Sequence, residues 1–337
     1  LGAPTVLLVR SADPRSRLRV NWTRLESPDP SGSVRVEPED AVLYASALVL
    51  SRLFEYDDVN DTADLSQTGK VYPPYRLEEF TWDDANATIN HSALTAEFTG
   101  RKASSAHFQN GSISFRIAAY DGWGRAGELP RMLHSANCSQ LEVVLTGVAP
   151  RGNRSRFALE LLTVEDAGAQ RQLNMYKSID DEHTPTIFKV AELVAVAPGP
   201  GAALSYVQWK PVAYSSPRRA REDSVWCRIQ GLRGGRNQTL PGLSIAFAYF
   251  TPQRVANLTA FNVSFGTAQG GFYNQTRYIS WSVMIGYGDS LRDGLSALVI
   301  AVLGLGLALP FALVAAGGIA VCAHRQRHGS SRYTPIN

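Results

Sequence analysis

Residues 294–323 read GLSALVIAVLGLGLALPFALVAAGGIAVCA, thirty consecutive residues without a formal charge. As an α-helix this stretch would be about 45 Å long, whereas the hydrocarbon core of a bilayer is about 30 Å thick. Its large apolar side chains would point all round the helix axis, so no polar stripe is left to face water in a soluble domain. The sequence therefore predicts one membrane-spanning helix at 294–323.

This span divides the chain into a large segment at residues 1–285, a short juxtamembrane linker at 286–293 and a tail at 324–337. The tail contains Arg325, Arg327 and Arg332 but no acidic residue, so the positive-inside rule places it in the cytosol. These three arginines account for the formal net charge of +3, and the large segment has no basic excess that would favour nucleic acid. We expect the large segment to be luminal or extracellular, after removal of a signal peptide.

The asparagines give a separate test of this orientation, because N-linked glycans are added to Asn-x-Ser/Thr triplets only on the luminal side. Eleven of the 13 asparagines begin such a triplet, and only Asn174 and Asn337 do not. Chance would supply about two. We therefore predict a large segment that carries sugar over much of its surface. The predicted glycan acceptors are Asn21, Asn60, Asn86, Asn90, Asn110, Asn137, Asn153, Asn237, Asn257, Asn262 and Asn274.

Alternation of apolar and polar residues predicts many short strands in the large segment. After Gly111, for example, Ile113, Phe115 and Ile117 alternate with polar neighbours. Glycines, prolines and glycan triplets separate the strands, so we predict an all-β fold of the β-sandwich type, followed by one carboxy-terminal transmembrane helix. We favour two packed β units that meet near residues 136–150, with a single large sandwich as the alternative. Further strands are predicted at residues 6–10, 141–145, 157–161, 186–196, 204–214, 225–229, 243–250, 261–265 and 279–285, whereas residues 41–54 fit either a short helix or a buried strand.

Two cysteines, Cys138 and Cys227, lie in the large segment, and Cys322 lies at the cytosolic end of the span. An oxidising lumen favours pairing of the first two. Cys227 belongs to an alternating stretch that turns it toward the core, which suits either a disulfide or a buried thiol. We predict a Cys138–Cys227 disulfide, with two separate buried thiols as the alternative.

Motifs for catalysis, cofactors and metals are weak in the large segment. The sequence has no Gly-x-Ser-x-Gly elbow, no His-Glu-x-x-His helix and no phosphate-binding glycine loop. The acidic run from Asp57 to Asp64 lacks the central glycine and closing glutamate of a calcium loop, so we favour a solvated loop over a metal site. Arg218 to Arg221 has the Arg-x-x-Arg form that secretory convertases cut, but we favour an uncut exposed loop. We predict no enzyme activity and no cofactor.

The span also contains small residues at every fourth position. A stripe of small side chains lets a second helix approach closely, and close packing is a main source of helix association in lipid. We predict packing against a partner helix, either in another protein or in a homodimer; the alternative is the general abundance of alanine and glycine in spans. The stripe consists of Gly304, Ala308, Ala312, Ala316 and Ala320.

The tail ends with Tyr333-Thr334-Pro335-Ile336-Asn337. This sequence fits the Tyr-x-x-bulky form of endocytic and lysosomal sorting signals. Such peptides bind in an extended form, and Tyr333 and Ile336 would enter separate pockets of a cytosolic clathrin adaptor. Pro335 favours an extended conformation at Thr334. We predict that this segment is a sorting signal.

Over its full length the chain resembles the glycosylated lysosomal membrane protein family, in its dense glycan triplets, its single carboxy-terminal span and its terminal Tyr333 motif. The resemblance implies a lysosomal accessory subunit that binds and protects a multi-span transporter of the major facilitator superfamily, linked to export of dipeptides or amino acids. Two other classes stay open: a membrane-anchored luminal hydrolase, and a single-span receptor or adhesion protein.

The sorting signal predicts a shift in location when Tyr333 is changed. We expect Tyr333→Ala to raise the amount of protein at the cell surface several-fold, because the adaptor pocket loses its aromatic ligand, whereas Thr334→Ala keeps the lysosomal location. Surface biotinylation together with lysosomal co-staining measures both variants. An unaltered location of Tyr333→Ala would contradict the sorting role and favour the receptor class.

Overall fold

The computed structural model describes residues 2–83, 88–166, 168–177, 189–199, 203–234, 238–251, 256–268, 270–294 and 297–328. Strands dominate these ranges. The first ten strands are β1 (Thr5–Ser11), β2 (Arg17–Val20), β3 (Val34–Glu37), β4 (Val42–Asp57), β5 (Lys70–Val71), β6 (Tyr75–Arg76), β7 (Thr81–Trp82), β8 (Thr95–Arg101), β9 (Ser112–Ala119) and β10 (Gly124–Arg125). The next ten are β11 (Leu133–His134), β12 (Cys138–Thr146), β13 (Ser155–Glu165), β14 (Gln170–Lys177), β15 (Lys189–Val196), β16 (Ala203–Trp209), β17 (Val212–Tyr214), β18 (Ser224–Gly234), β19 (Asn257–Phe265) and β20 (Tyr278–Tyr287). The helices are α1 (Trp22–Leu25), α2 (Ile245–Phe250), α3 (Tyr273–Thr276) and α4 (Ala297–His328).

Most strands belong to one large curled sheet with two sections. The first section has the order β1-β4-β13-β19-β18, with β5 and β6 also paired to β4. The second has the order β17-β20-β12-β9-β8-β7, and β16, β15 and β14 extend from β20 in that order. Pairing of β17 with β18, for example Val212 with Trp226, joins the two sections. Two short hairpins, β2-β3 and β10-β11, lie outside the sheet.

The two sections enclose the main hydrophobic core between them. Trp209 on β16 stacks against Phe261 on β19, with ring centroids 6.0 Å apart, and Phe265 lies 6.1 Å from Trp281 on β20. All four aromatic side chains are buried. Such offset aromatic contacts add to the stability that comes from apolar burial. The prediction of an all-β sandwich-type fold is confirmed.

Residues 1–292 form one compact unit, and the chain does not divide near residues 136–150. The boundary that we favoured falls on β12, which pairs along nine residues with β20 and along eight with β9. A strand held on both sides cannot separate two packed units. The loop residues that suggested a boundary connect β12 to β13 in a single sandwich.

Strand β4 resolves the ambiguous stretch at residues 41–54. It is 16 residues long, and a run from Tyr44 to Ser51 is buried without interruption. Leu48 and Leu50 contribute to the main core, whereas Ala45 and Ala47 contact a second core that contains α2. Because both faces are covered, the period-two pattern of a half-buried strand is missing here.

The predicted strand at residues 243–250 is wrong, because this segment contains the short helix α2. Ser244 is the N-cap residue, and its hydroxyl accepts a hydrogen bond from the Phe247 N–H at 3.1 Å. Ala246 and Ala248 are fully buried against the second core. The small alanines let the helix lie close to the outer face of the sheet.

Helix α4 includes residues 297–323 of the predicted span, whose residues 295 and 296 lie outside the described residues. Its apolar part, from Leu298 to Arg327, is long and apolar enough to cross a membrane, with a mean hydropathy of 2.6. The helix continues through Pro310.

Removal of one core ring should test the sandwich. We expect Phe261→Ala to lower the free energy of unfolding by about 3–5 kcal/mol, because it leaves a cavity beside Trp209. Leu18→Ala is the control, since the Leu18 side chain is 60% exposed. Urea unfolding of the full chain in detergent, followed by tryptophan fluorescence, measures both; equal midpoints would contradict the packing described.

Glycan acceptors, buried ion pairs and the membrane exit segment

The predicted glycan acceptors are distributed over many separate loops and element ends of the large segment. Eight of the nine that the structure describes are exposed, in loops or at the ends of elements, and Asn262 is half-buried in the middle of β19. Asn86 and Asn237 lie outside the described residues. An exposed amide nitrogen can carry a bulky sugar without disturbing the fold. The geometry therefore accommodates sugars at these exposed positions.

The predicted disulfide is not formed, and both cysteines are buried thiols. Cys138 packs with Met132, Tyr206 and Met284 in a small cluster, and its thiol donates to the carbonyl oxygen of Ser135. Cys227 instead belongs to the main core, where burial raises the pKa of its thiol well above the usual value. The two side chains therefore occupy different cores. Alternation had correctly placed Cys227 inward, but it could not give the side on which Cys138 lies.

The acidic run at residues 57–64 is an ion-pair network, not the solvated loop that we expected. Asp58 is 1% exposed and bonds Nε of the buried Arg156 at 2.8 Å. Asp61 also binds the Arg156 guanidinium, and Asp64 lies 3.2 Å from Nη1 of Arg228. Carboxylates that are held by arginines have little capacity left for a cation. The decisive residue, Arg156, is about 100 positions away, so no local pattern could reveal the pairing.

Asp58 illustrates the electrostatics of this network. Burial favours its neutral form, but hydrogen bonds from the Thr62 and Ala63 N–H groups and from Arg156 favour the carboxylate more strongly. The pKa of Asp58 is therefore lowered from its ordinary value. This carboxyl stays ionised under moderately acidic conditions, and the network stays intact with it.

Among the described residues, Asp58 is one of five deeply buried carboxylates in the unit that bind arginines. The five pairs share a carboxylate that is less than 5% exposed and an arginine from the same compact unit. They are Glu55 with Arg151, Asp58 with Arg156, Glu142 with Arg219, Glu165 with Arg171 and Glu192 with Arg292.

Glu165 is the most enclosed member of this group. Burial raises the pKa of its carboxyl, although Arg171 and the hydroxyl of Tyr44 act in the opposite direction. The same burial, with the Glu165 charge beside it, raises the pKa of Tyr44. Arg171 also donates to the Ser205 hydroxyl at 2.9 Å. These contacts connect β4, β13, β14 and β16, so they stabilise the fold.

Arg219 belongs to the stretch with the convertase form. Its guanidinium binds Glu142 and lies 3.0 Å from Glu128, and the residue is only 8% exposed. We had expected an exposed loop, and this residue departs from that expectation because it neutralises the buried Glu142. A convertase needs the loop extended and accessible, so this anchoring favours the uncut loop. That the loop is uncut stays a prediction.

The histidines of the large segment lie apart from one another. His107 bonds the Ala149 carbonyl oxygen at 2.9 Å, and His134 stacks on the Tyr120 ring with centroids 3.7 Å apart. His91 is exposed, and His183 lies outside the described residues. The structure therefore brings no two of the described histidines together in one site.

The last residues of the compact unit, 288–292, are bound to its surface; we call them the exit segment. Arg292 and the Ser290 hydroxyl both donate to the buried carboxylate of Glu192, the first at 2.8 Å. The Gln208 amide donates to the Leu291 carbonyl oxygen at 2.9 Å. The predicted linker at 286–293 is thus largely part of the domain. Residues 286 and 287 end β20, and the next five are held by β15 and β16.

The small-residue stripe lies on α4, and its five members, Gly304, Ala308, Ala312, Ala316 and Ala320, are exposed along that helix. Packing of a partner helix on this stripe stays a prediction. The predicted sorting residues, Tyr333 and Ile336, lie outside the described residues.

The buried Asp58–Arg156 pair generates a prediction about stability and pH. We expect Asp58→Asn to lower the free energy of unfolding at neutral pH by about 3 kcal/mol, because the buried Arg156 loses one of its two carboxylate partners and keeps only the more exposed Asp61. Since folding lowers the pKa of Asp58, its contribution is present above the unfolded value of about 4 and disappears as the pH falls through the folded value. The difference between wild type and variant should therefore shrink in strong acid. Asp13→Asn is the control, because the Asp13–Arg15 pair is on the surface. Chemical unfolding at several pH values measures the difference; a constant gap down to the lowest pH would contradict the assignment.

Comparison with known proteins gives the family of the chain. The family model for glycosylated lysosomal membrane protein matches residues 1–328. The whole chain aligns with glycosylated lysosomal membrane protein B of Xenopus laevis at 49% identity, covering 84% of that protein. The Danio rerio and Homo sapiens proteins of that name align over the whole chain at 43% and 37% identity, each covered to 82%. The chain belongs to the glycosylated lysosomal membrane protein family, and with its apolar helix α4 it is a single-pass protein of the lysosomal membrane.

Proposed function

We propose that the chain is a non-catalytic accessory subunit of a lysosomal transporter of the major facilitator superfamily, one that exports dipeptides or amino acids. Its glycosylated luminal domain stabilises the transporter and shields it from lysosomal proteases. The proposal combines the family resemblance with three features: the sugar-bearing surface, the bound exit segment and the internal neutralisation of buried carboxylates.

The exit segment is the observation that carries this proposal. Glu192 is 1% exposed and binds both Ser290 and Arg292, and Arg292 also lies over the Tyr176 ring at 4.7 Å. These contacts hold the chain on the domain as far as Arg292. A domain on a loose linker would sample many positions. A bound exit segment removes this freedom as far as Arg292, which supports a role for the glycosylated domain beside a neighbouring membrane protein.

Glycans and contact would protect such a neighbour in two ways. A protease must bind an extended segment, and bulky sugars restrict its access to loops beside them. Binding to the folded transporter also lowers the population of its locally open states, because any partner that prefers the closed form shifts the equilibrium toward it. Neither effect requires chemistry by the accessory chain.

The buried carboxylates support a binding role over the hydrolase alternative. A catalytic acid or base normally faces a cleft, where substrate can reach it. In this domain Glu55, Asp58 and Glu165, like the two other buried members of the group, face arginines of the same unit. Their charge is used to connect strands.

Removal of the chain from cells should test the role directly. We expect its deletion to lower the steady-state amount of a multi-span lysosomal transporter several-fold while the transporter messenger RNA is unchanged, and inhibitors of lysosomal proteases to restore the amount. Immunoblotting of purified lysosomes measures both. Stoichiometric co-purification of the transporter with the detergent-solubilised chain should accompany this result.

A matched pair of variants connects this test to the exit segment. We expect full-length Glu192→Gln, which weakens the bond to Arg292, to rescue the transporter less well than wild type at equal expression. Glu37→Gln is the control, because the Glu37–Arg19 pair is exposed. Unchanged transporter abundance in the deletion would refute the accessory role. Equal rescue by both variants would refute the part assigned to the exit segment.

A further inference from the structure

Asn262 occupies an unusual place for a glycan acceptor. It lies at the centre of β19, between β13 and β18, directly opposite Glu160 on one side and Gln230 on the other. It is half-buried, whereas every other acceptor that the structure describes is exposed. A sugar attached here must begin on the face of the sheet rather than in a loop.

The Asn262 side chain is only partly satisfied by its surroundings. Its Oδ1 atom is buried, and none of the described residues donates a hydrogen bond to it. A buried carbonyl oxygen without a donor is unfavourable by about 1–3 kcal/mol. The Gln230 amide, which could reach across the strand pair, is engaged instead with Leu65 and Ala63. The site therefore lacks one donor.

The neighbouring strand β18 is irregular beside the amide nitrogen of Asn262. The register of β18 against β19 shifts between Gln230 and Arg233, which is a bulge next to the acceptor. Gly231 adopts a φ of 65° in this bulge, in the left-handed region that favours glycine. A Cβ atom at Gly231 would lie 3.9 Å from Nδ2 of Asn262. The exposed Arg233 side chain lies over the same spot, with Nε and Nη2 each 3.7 Å from that Cβ position, so a sugar on Nδ2 requires this side chain to turn outward.

A polar cavity of about 400 Å³ begins at Glu160, the cross-strand neighbour of the acceptor on β13. Ser51, Arg52 and Glu160 line it on the sheet, and residues 238–242 form part of its wall. Cross-strand neighbours have Cβ atoms about 5 Å apart, so a sugar on Asn262 lies beside Glu160 and within reach of this cavity. The lining offers hydroxyl, guanidinium and carboxylate groups, which are suited to sugar hydroxyls.

We propose that the first N-acetylglucosamine of the Asn262 glycan is a structural part of the domain, packed on the sheet beside Glu160 and in the polar cavity. The bond forms from Nδ2 to the anomeric carbon of the sugar, with loss of one amide proton and departure of the diphosphate of the lipid donor. The sugar covers polar groups of β4 and β13. The glycans on loops remain mobile and form the coat.

This packing has a consequence for trimming. An endoglycosidase cuts between the first two N-acetylglucosamines, and it must enclose that bond to do so. The enzyme can reach this bond in a glycan on a loop, but the sheet obstructs access where the first sugar is packed on it. Asn110, an exposed acceptor in the turn before β9, is the matched control.

The first test uses the full-length chain in detergent, produced in cells that make only oligomannose glycans. The native protein is treated with endoglycosidase H, and occupancy and trimming are followed site by site by mass spectrometry. We expect Asn110 to be trimmed to one sugar while Asn262 retains its glycan at least tenfold longer, and heat-denatured protein to be trimmed at both sites. An unoccupied Asn262, or equal rates at the two sites, would overturn the proposal.

The second test is thermal stability. We expect Asn262→Gln to lower the melting temperature by about 3 °C and Asn110→Gln to lower it by less than about 1 °C. Trimming of the wild type should leave the melting temperature unchanged, since the first sugar stays in place. Equal shifts in the two variants would overturn the structural role even if trimming differs. Both readouts are independent of any transporter partner.

Discussion

The pairing of β20 is the constraint on which the rest of the structure depends. This strand pairs with β12 along its whole length, with β17 near its start and with β16 near its end. Trp281 and Val283 face the core that separates the two sections of the sheet. The curled sheet can close only when β20 is in place, because the branch β16-β15-β14 and the connection through β17 both begin there. The same strand continues into the exit segment, so the fold and the attachment to the membrane share one element.

The sequence predicted those strands whose two faces differ. Ile113 and Phe115, for example, alternate with polar residues because one side of β9 faces the core. The sequence-based prediction failed where tertiary contacts remove this contrast between the two faces of a strand. Strand β4 is covered on both faces, and α2 replaces a predicted strand because its apolar run has no clear period; only Ser244 marked a helix start. The edge strand β14 is largely exposed and was not predicted.

The features of the candidate site also differ in whether the sequence alone predicts them. Glycan triplets and the span are local patterns, so sequence alone gives their positions. The exit segment required the structure, since Glu192 and Arg292 are 100 residues apart and ordinary in their local context. The cysteines show the limit most clearly. Composition indicated that Cys138 and Cys227 could pair, but only the packing shows that they enter separate cores. Pairwise contacts between distant residues have no single-sequence signature, and much of this domain is held together by such contacts.

The position of β20 in the chain order affects synthesis in the endoplasmic reticulum. Since the sheet cannot close before Tyr287 has emerged from the translocon, the preceding residues pass the glycosylating enzyme as an open chain. Asn262 precedes Tyr287 by 25 residues, so even this half-buried amide is accessible when the oligosaccharide is transferred. Late closure thus allows a sugar to be placed on a surface that the finished domain exposes only in part.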